Sequence, residues 1–309
     1  MSSNTGGLRI GIDLGGTKIA GIVFDADDTV IAEERHAAPR DDYRATIASI
    51  VDIIKTLETA AGGHGSIGIG MPGSISPVTG RVQGSNSVWL NDMPFAEDTQ
   101  AALGRPARFA NDANCFTLSE ATDGAAAGAD SVFGVIMGTG CGGGIVSHGR
   151  IVDGPNRTGG EWGHVPLPWS GPDEHPGPQC WCGRYGCLET WISGSGLARD
   201  FTEATGQVLR GPEIAERAPS DPACQAALDR HVSRVGRALA MIVNIVDPEV
   251  IVLGGGLSQL AYLYDRLPEV MAPFIFAASP VIDIRPPTYG DASGVRGAAR
   301  LWTRAEAGA

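Results

Sequence analysis

The sequence predicts an α/β protein of two related halves, and a recurrence along the chain predicts it. Leu8–Leu14 (LRIGIDL) is a short apolar run that ends in Gly15-Gly16-Thr17-Lys18 and resumes as the β-branched run Ile19–Phe24. Val132–Met137 (VFGVIM) ends in Gly138-Thr139-Gly140-Cys141-Gly142-Gly143-Gly144 and resumes at Ile145–Ser147. Each reads as strand, glycine turn, strand. The repeat of this unit about 125 residues later predicts two halves, each presenting a glycine turn to a shared cleft. A third element, the buried strand Val250–Leu253, runs through Gly254-Gly255-Gly256 toward a helix start. Strand-to-helix glycine turns leave backbone N–H groups facing outward, where they suit anions.

Helices fill the intervals. Tyr43–Ala60 carries an apolar stripe at Ile47, Ile50, Val51, Ile54 and Leu57, the spacing of one helix face. Asn111–Ala127, Cys224–Val246 and Ala292–Trp302 are the other predicted helices. A length of 309 residues suits two domains. The expected division is 1–118 with the C-terminal helix at about 291–309, and 119–290.

Composition narrows the function. The net charge is −12 with no Lys/Arg cluster, so a phosphate backbone would be repelled and nucleic acid is excluded as the main partner. No stretch reaches the ~18 apolar residues of a membrane span, and the first residues lack the basic start and apolar core of a signal peptide. The expected compartment is the cytoplasm. Glycine makes up 44 of 309 residues, about twice the usual share, which fits tight turns and close backbone approach to a ligand.

Pro155–Gly186 is a Pro- and Gly-rich stretch with little periodicity, too long for an ordinary loop unless something fixes it. His164, Cys180, Cys182 and Cys187 form H-x15-C-x-C-x4-C. Three thiolates and an imidazole make a closed tetrahedral zinc set, and the glycines permit turns that aim the sulfurs inward. The plainer reading is three reduced cysteines beside an unrelated histidine; the spacing favours zinc, in a structural role.

Asn111-Asp112 follows the apolar strand Ala107–Ala110 and opens a helix; as an N-cap pair it has a sufficient structural explanation. Glu161 and His164 share one side of a turn, and Glu189 follows Cys187 by two residues. Together these groups offer many hydrogen-bond partners and few full positive charges, the chemistry of a hydroxyl-rich ligand.

The motifs DLGGTK (Asp13–Lys18), GMPG (Gly70–Gly73), FANDAN (Phe109–Asn114), GTGCGGGI (Gly138–Ile145), GEWGH (Gly160–His164) and CWCGRYGCLE (Cys180–Glu189) occur in this order. The set resembles the ROK family of bacterial sugar kinases, on the actin/hexokinase-like ATPase fold, across essentially the whole chain. Ser74–Pro77, Asn86–Asn91, HVPLPW and the ending GDASGVRGAARLW resemble its fructokinase/mannokinase branch. The resemblance implies an ATP-dependent hexose kinase with fructose as first substrate and mannose as side substrate. N-acetylglucosamine or glucose are the alternatives.

It further implies that Asp112 is the general base, and that Gly73, Asn86, Asn111, Asp112, Glu161, His164 and Glu189 hold the sugar. Gly15, Gly16, Thr17 and Lys18 match the first phosphate loop, Gly138, Thr139 and Gly140 the second, and Gly254, Gly255 and Gly256 the adenosine side. Asp13 matches an acidic neighbour of Mg²⁺, which accompanies ATP. His164, Cys180, Cys182 and Cys187 match a structural zinc site, and a homodimer is the implied assembly. Sugar-responsive repressors in the same family carry a helix-turn-helix before the first glycine turn. With that turn at Gly15 and a charge of −12, the resemblance predicts an enzyme.

Overall fold

The structure is a computed structural model describing residues 7–308. The chain divides into two compact units. The first comprises the residues up to Ser119, Ile151–Gly159 and those from Asp291 onward; the second comprises Glu120–Arg150 and Gly160–Gly290. The segment Ile151–Gly159, which the sequence reading grouped with the second half, packs with the first, where Gln83 donates to the Asn156 carbonyl at 2.9 Å.

The first unit holds β1 (Arg9–Leu14), β2 (Lys18–Phe24), β3 (Val30–Ala37), α1 (Tyr43–Ala61), β4 (Ser66–Met71), the short hairpin β5 (Ser74–Ile75) and β6 (Val82–Gln83), α2 (Phe95–Leu103), β7 (Ala107–Asn111) and the start of α3 (Asp112–Thr122). Its sheet runs β3-β2-β1-β4-β7. β1, β2 and β3 pair antiparallel, while β4 lies parallel to β1 and β7 parallel to β4.

The apolar stripe of α1 packs onto one sheet face, with Ile50, Ile53, Ile54 and Leu57 buried beside Ile10, Ile12, Ile67 and Ile69. Asp42 caps the helix by accepting from the Ala45 N–H, and Gly62 ends it in the left-handed region. The opposite face meets the C-terminal helix Ser293–Ala299, whose Val295 and Ala299 pack on Ile22 and Phe24. That contact is backbone to backbone: a Cβ on Gly68 would lie 1.9 Å from the Ala298 carbonyl oxygen.

The second unit repeats the pattern. It holds β8 (Ser131–Met137), β9 (Cys141–Ser147), the start of β10 (Arg150–Ile151), α4 (Glu189–Ile192), α5 (Gly194–Thr205), α6 (Gly211–Arg217), α7 (Pro222–Val246), β11 (Val250–Gly254), α8 (Ala261–Met271) and β12 (Ile284–Arg285). The sheet runs β10-β9-β8-β11-β12, with β8 and β9 antiparallel and β11 parallel to β8. α7 is almost wholly buried along one side through Leu228, Val232, Val235 and Leu239.

Three expectations change. α3 stops at Thr122 rather than reaching Ala127, because the buried Glu120 carboxylate accepts from the Ala125 and Thr288 N–H groups at 2.8 and 2.9 Å and turns the chain at Gly124. The C-terminal helix ends at Ala299, and the Trp302 indole N–H donates to the Ile67 carbonyl at 2.7 Å, drawing the chain back onto β4. Gly142–Gly144 are strand, not turn: they pair with Gly134–Ile136, and Trp162 covers Gly143 so closely that a Cβ there would sit 2.7 Å from its ring.

The long loop is held by more than its cysteines. Glu174 accepts from Arg234 at 2.9 Å and Arg237 at 2.8 Å on α7, while Asp200 on α5 accepts from Arg234 at 2.7 Å. Burial of Glu174 acts to raise its carboxyl, but the two guanidinium groups outweigh it and hold the group down at about 2. Among the described residues no helix is long and apolar enough to cross a membrane. Gly68→Ala forces backbone apart where neither partner can rotate away, so it should cost about 3 kcal/mol of stability, measured by urea denaturation.

Candidate functional site

In the first unit the ladder places Asn111 opposite Met71 at the end of β7, so Asp112 begins α3 directly beyond the sheet. The Ala113 N–H points at both side chains, 2.9 Å from Asn111 Oδ1 and 2.8 Å from Asp112 Oδ1. Asn111 donates its Nδ2 to the Gly73 carbonyl at 3.3 Å. Gly73 has φ +74°, and a Cβ on it would lie 2.4 Å from the Gln83 carbonyl oxygen, so the β5–β6 hairpin admits only glycine there.

Burial pushes the Asp112 carboxyl up, offset by the Ala113 N–H, its own N–H and the Asn111 side chain. Asp13, at the end of β1, rises to about 7, through burial first and then the charge of Asp112, with Lys18 acting in the opposite sense. The Cys115 thiol is pushed well up by burial and by the same two carboxylates. A cavity of about 250 Å³ reaches Asn111 and Asn114, walled by Met71, Ile75, Pro77 and Phe109 and bordered by Arg157.

The first glycine turn is closed by the Gly15 N–H donating to the Lys18 carbonyl at 3.0 Å. Lys18 ion-pairs with Asp291 at 3.2 Å in solvent. Arg40, which no motif singled out, donates to the Gly16 carbonyl at 3.0 Å and brings a guanidinium to this turn. Asn86 is exposed and is not among the residues lining the cavity at Asn111.

In the second unit the turn Gly138–Gly140 is closed by the Gly138 N–H on the Gly140 carbonyl at 3.0 Å. The Gly138 carbonyl accepts from the Gly194 N–H at 2.8 Å at the start of α5. Gly138, Thr139 and Gly256 line one cavity of about 440 Å³, together with Ser195, Arg210 and Leu257. Gly254 ends β11 and Gly255 makes the bend at φ +79°, where a Cβ would lie 2.5 Å from the Met137 carbonyl oxygen. Sequence reading missed Ser195 and Arg210, which sit in segments with no motif of their own.

The His164, Cys180, Cys182 and Cys187 ligand atoms all lie within 4.8 Å of one another. Cys180 Sγ is 3.6 Å from His164 Nδ1, and Cys182 Sγ is 3.6 Å from Cys187 Sγ. A tetrahedral zinc with bonds of about 2.3 Å needs ligand separations of about 3.8 Å, so the donor set and its spacing fit that ion. His164 turns Nδ1 toward the Cys180 sulfur. Glu161 immediately precedes the 3-10 turn Trp162–His164. Glu189 opens α4 with one carboxylate oxygen 3.0 Å from the Cys141 N–H and the other 2.6 Å from the Trp181 indole nitrogen.

Two α/β units with matching sheets, each ending a β-hairpin in a glycine turn, define the architecture of the hexokinase-like ATPases. The chain superposes on a ROK hexokinase from Thermus thermophilus with TM-score 0.83 and 32% identity, covering 94% of this chain and 96% of that one. A ROK family glucokinase from Streptomyces griseus, solved with glucose and AMPPNP, gives TM-score 0.79 and 26% identity over 96% of this chain and 99% of that one. The ROK family model matches residues 9–305. This protein belongs to the ROK family.

Curated relatives include the N-acetyl-D-glucosamine kinase of Photobacterium profundum, 38% identical over 95% of this chain and 99% of that protein. An N-acetyl-D-glucosamine kinase of Escherichia coli is 37% identical over the same shares. The electrostatics at Asp13 are open to direct measurement. Its carboxyl carbon should titrate near pH 7 by ¹³C NMR, and Asp112→Asn, by removing a neighbouring negative charge, should move that midpoint down.

Proposed function

We propose that this ATP-dependent sugar kinase of the ROK family phosphorylates N-acetyl-D-glucosamine on its primary hydroxyl, with Asp112 as general base. The observation that carries the reading is the half-buried Asp112 carboxylate at the start of α3, one residue beyond an Asn111 that opens onto a cavity. That cavity combines side-chain amides with an apolar wall, a pairing that suits an acetamido group: its N–H and C=O need polar partners and its methyl needs burial. The names of the curated relatives support the same acceptor. They give no support to fructose, which the loops Ser74–Pro77 and Asn86–Asn91 had suggested.

In this reading Asn111 and the Gly73 carbonyl orient the sugar, and Asp112 accepts the hydroxyl proton as the oxygen attacks the γ-phosphorus. A carboxylate raised above its usual range by burial is a stronger base at neutral pH than a solvated one. Glu161, His164 Nε2 and Glu189 are the proposed partners of the remaining hydroxyls. With the Gly15 and Gly138 N–H groups closing the turns, the N–H groups of Gly16 and Thr17 and of Thr139 and Gly140 would cradle phosphates, with Arg40 adding charge at the first turn.

Ser195, Arg210 and Gly256 border the proposed nucleoside pocket. Magnesium arriving with ATP supplies charge neutralisation at the transferred phosphoryl. Asp13, whose proton affinity is already high, fits beside such a cation. The proposed setting is the cytoplasm, on the composition, and the proposed assembly a homodimer, on the resemblance alone.

Two measurements test this. In a coupled assay of ADP release, N-acetyl-D-glucosamine should give the highest kcat/KM among N-acetyl-D-glucosamine, glucose, mannose and fructose; fructose ranking first would overturn the acceptor assignment. Asp112→Asn should lower kcat by about 10²- to 10⁴-fold while sugar binding by calorimetry stays within a few-fold. Separately, elemental analysis of purified protein should find one zinc per chain, and Cys187→Ser should lower both the zinc content and the thermal midpoint.

A further inference from the structure

We propose that Trp181 is a positioning residue which locks Glu189 against the second glycine turn, so that the cysteine knuckle and that turn are held as one piece. The inference rests on the kinase reading above only for its kinetic consequence. Trp181 stands between Cys180 and Cys182 and is 53% exposed, an unfavourable place for a large apolar ring unless something fixes it there. Two contacts do. The ring meets His164 edge-on, with centroids 5.0 Å apart at 85°, and its Nε1 donates to Glu189 Oε1 at 2.6 Å.

The second Glu189 oxygen accepts from the Cys141 N–H at 3.0 Å, one residue past the Gly138–Gly140 turn. Glu189 is therefore gripped at both oxygens, by the knuckle on one side and the turn on the other. The fit leaves no slack: a Cβ on Gly140 would lie 2.6 Å from Glu189 Oε2. Glycine at 140 thus has a second reason to exist besides access of its N–H to an anion.

His164, Trp181, Glu189 and Cys141 form a continuous line of contacts inside the second unit. Without the indole donor, the carboxylate keeps only one anchor and is free to rotate about its side-chain torsions. The turn then loses the fixed acceptor that sets the Cys141 N–H. A nucleotide bound at Gly138–Gly140 would feel that loss although Trp181 does not touch it.

The test uses full-length, metal-loaded protein. Trp181→Phe keeps the ring on His164 and removes the N–H. In ¹⁵N-labelled protein the Trp181 indole signal, assigned by its absence in Trp181→Phe, should move upfield and exchange faster with solvent in Glu189→Ala. An indole signal unmoved by Glu189→Ala overturns the proposal. At saturating sugar, Trp181→Phe should raise the ATP KM about three- to tenfold, the range for one hydrogen bond, with kcat changed by less than about twofold. An unchanged ATP KM, or loss of bound zinc in Trp181→Phe, also overturns it. If the unaltered protein phosphorylates no sugar, the kinase reading fails while the indole measurement still decides the role of Trp181.

Discussion

Holding two carboxylates, Asp13 and Asp112, side by side with little access to water is the constraint around which the first unit is organised. Removing such a group from water is costly unless hydrogen bonds replace hydration. At Asp112 the replacement is local: the first N–H groups of α3 and the Asn111 amide. The neighbouring Asp13 has less help, since Lys18, the cation that acts on it, is itself paired with Asp291. The unit therefore gathers two carboxylates of raised proton affinity at the place where a cation and a proton would be needed. A helix start supplies donors without supplying a counter-ion, which keeps the carboxylate basic instead of neutralising it in a salt bridge.

The two units solve one backbone problem in the same way and then diverge. In each, an antiparallel hairpin is followed by a strand parallel to its first member, β4 beside β1 and β11 beside β8. The first unit puts its half-buried carboxylate after one further parallel strand, β7. The second puts a cluster of sulfurs and an imidazole on a long excursion after the hairpin, and fastens the excursion to α7 through Glu174 and two arginines. Sheet architecture is shared; the side chains that do chemistry come from the parts that are not.

Much of this was legible from residue patterns. Apolar runs flanking glycines marked β1–β2 and β8–β9, and the 3.6-residue stripe marked α1, because these signals are local and strong. The stripe was incomplete only in detail: Val51 packs on that face half-buried, and Ile53 joins it fully buried. Helix ends were less legible because distant groups set them: Glu120 with Thr288, and Trp302 with Ile67. The cysteine and histidine spacing brought out the four-donor cluster, since short loops limit where sulfurs can go.

Arg40 and Arg210 carried no pattern at all, and Trp181 lay within the cysteine motif with no role of its own to mark it. Each matters through a partner far along the chain or through a cavity that only the fold assembles. The finer choice among hexoses was equally out of reach. Isomeric sugars differ by single hydroxyls, and loop similarity around Ser74 and Asn86 does not encode which one is recognised.

The discontinuity of the first unit bears on how the molecule is made. One face of its sheet, at Ala20, Ile22 and Phe24, is covered by Val295 and Ala299 from the last helix. A nascent polypeptide emerging from the ribosome carries that greasy surface uncovered until Ser293–Ala299 has been made, after the segments of the second unit. Biogenesis thus runs inside out: the inserted module is complete before the surrounding one can close, and the arrival of that helix ends the sheet's exposure to aggregation.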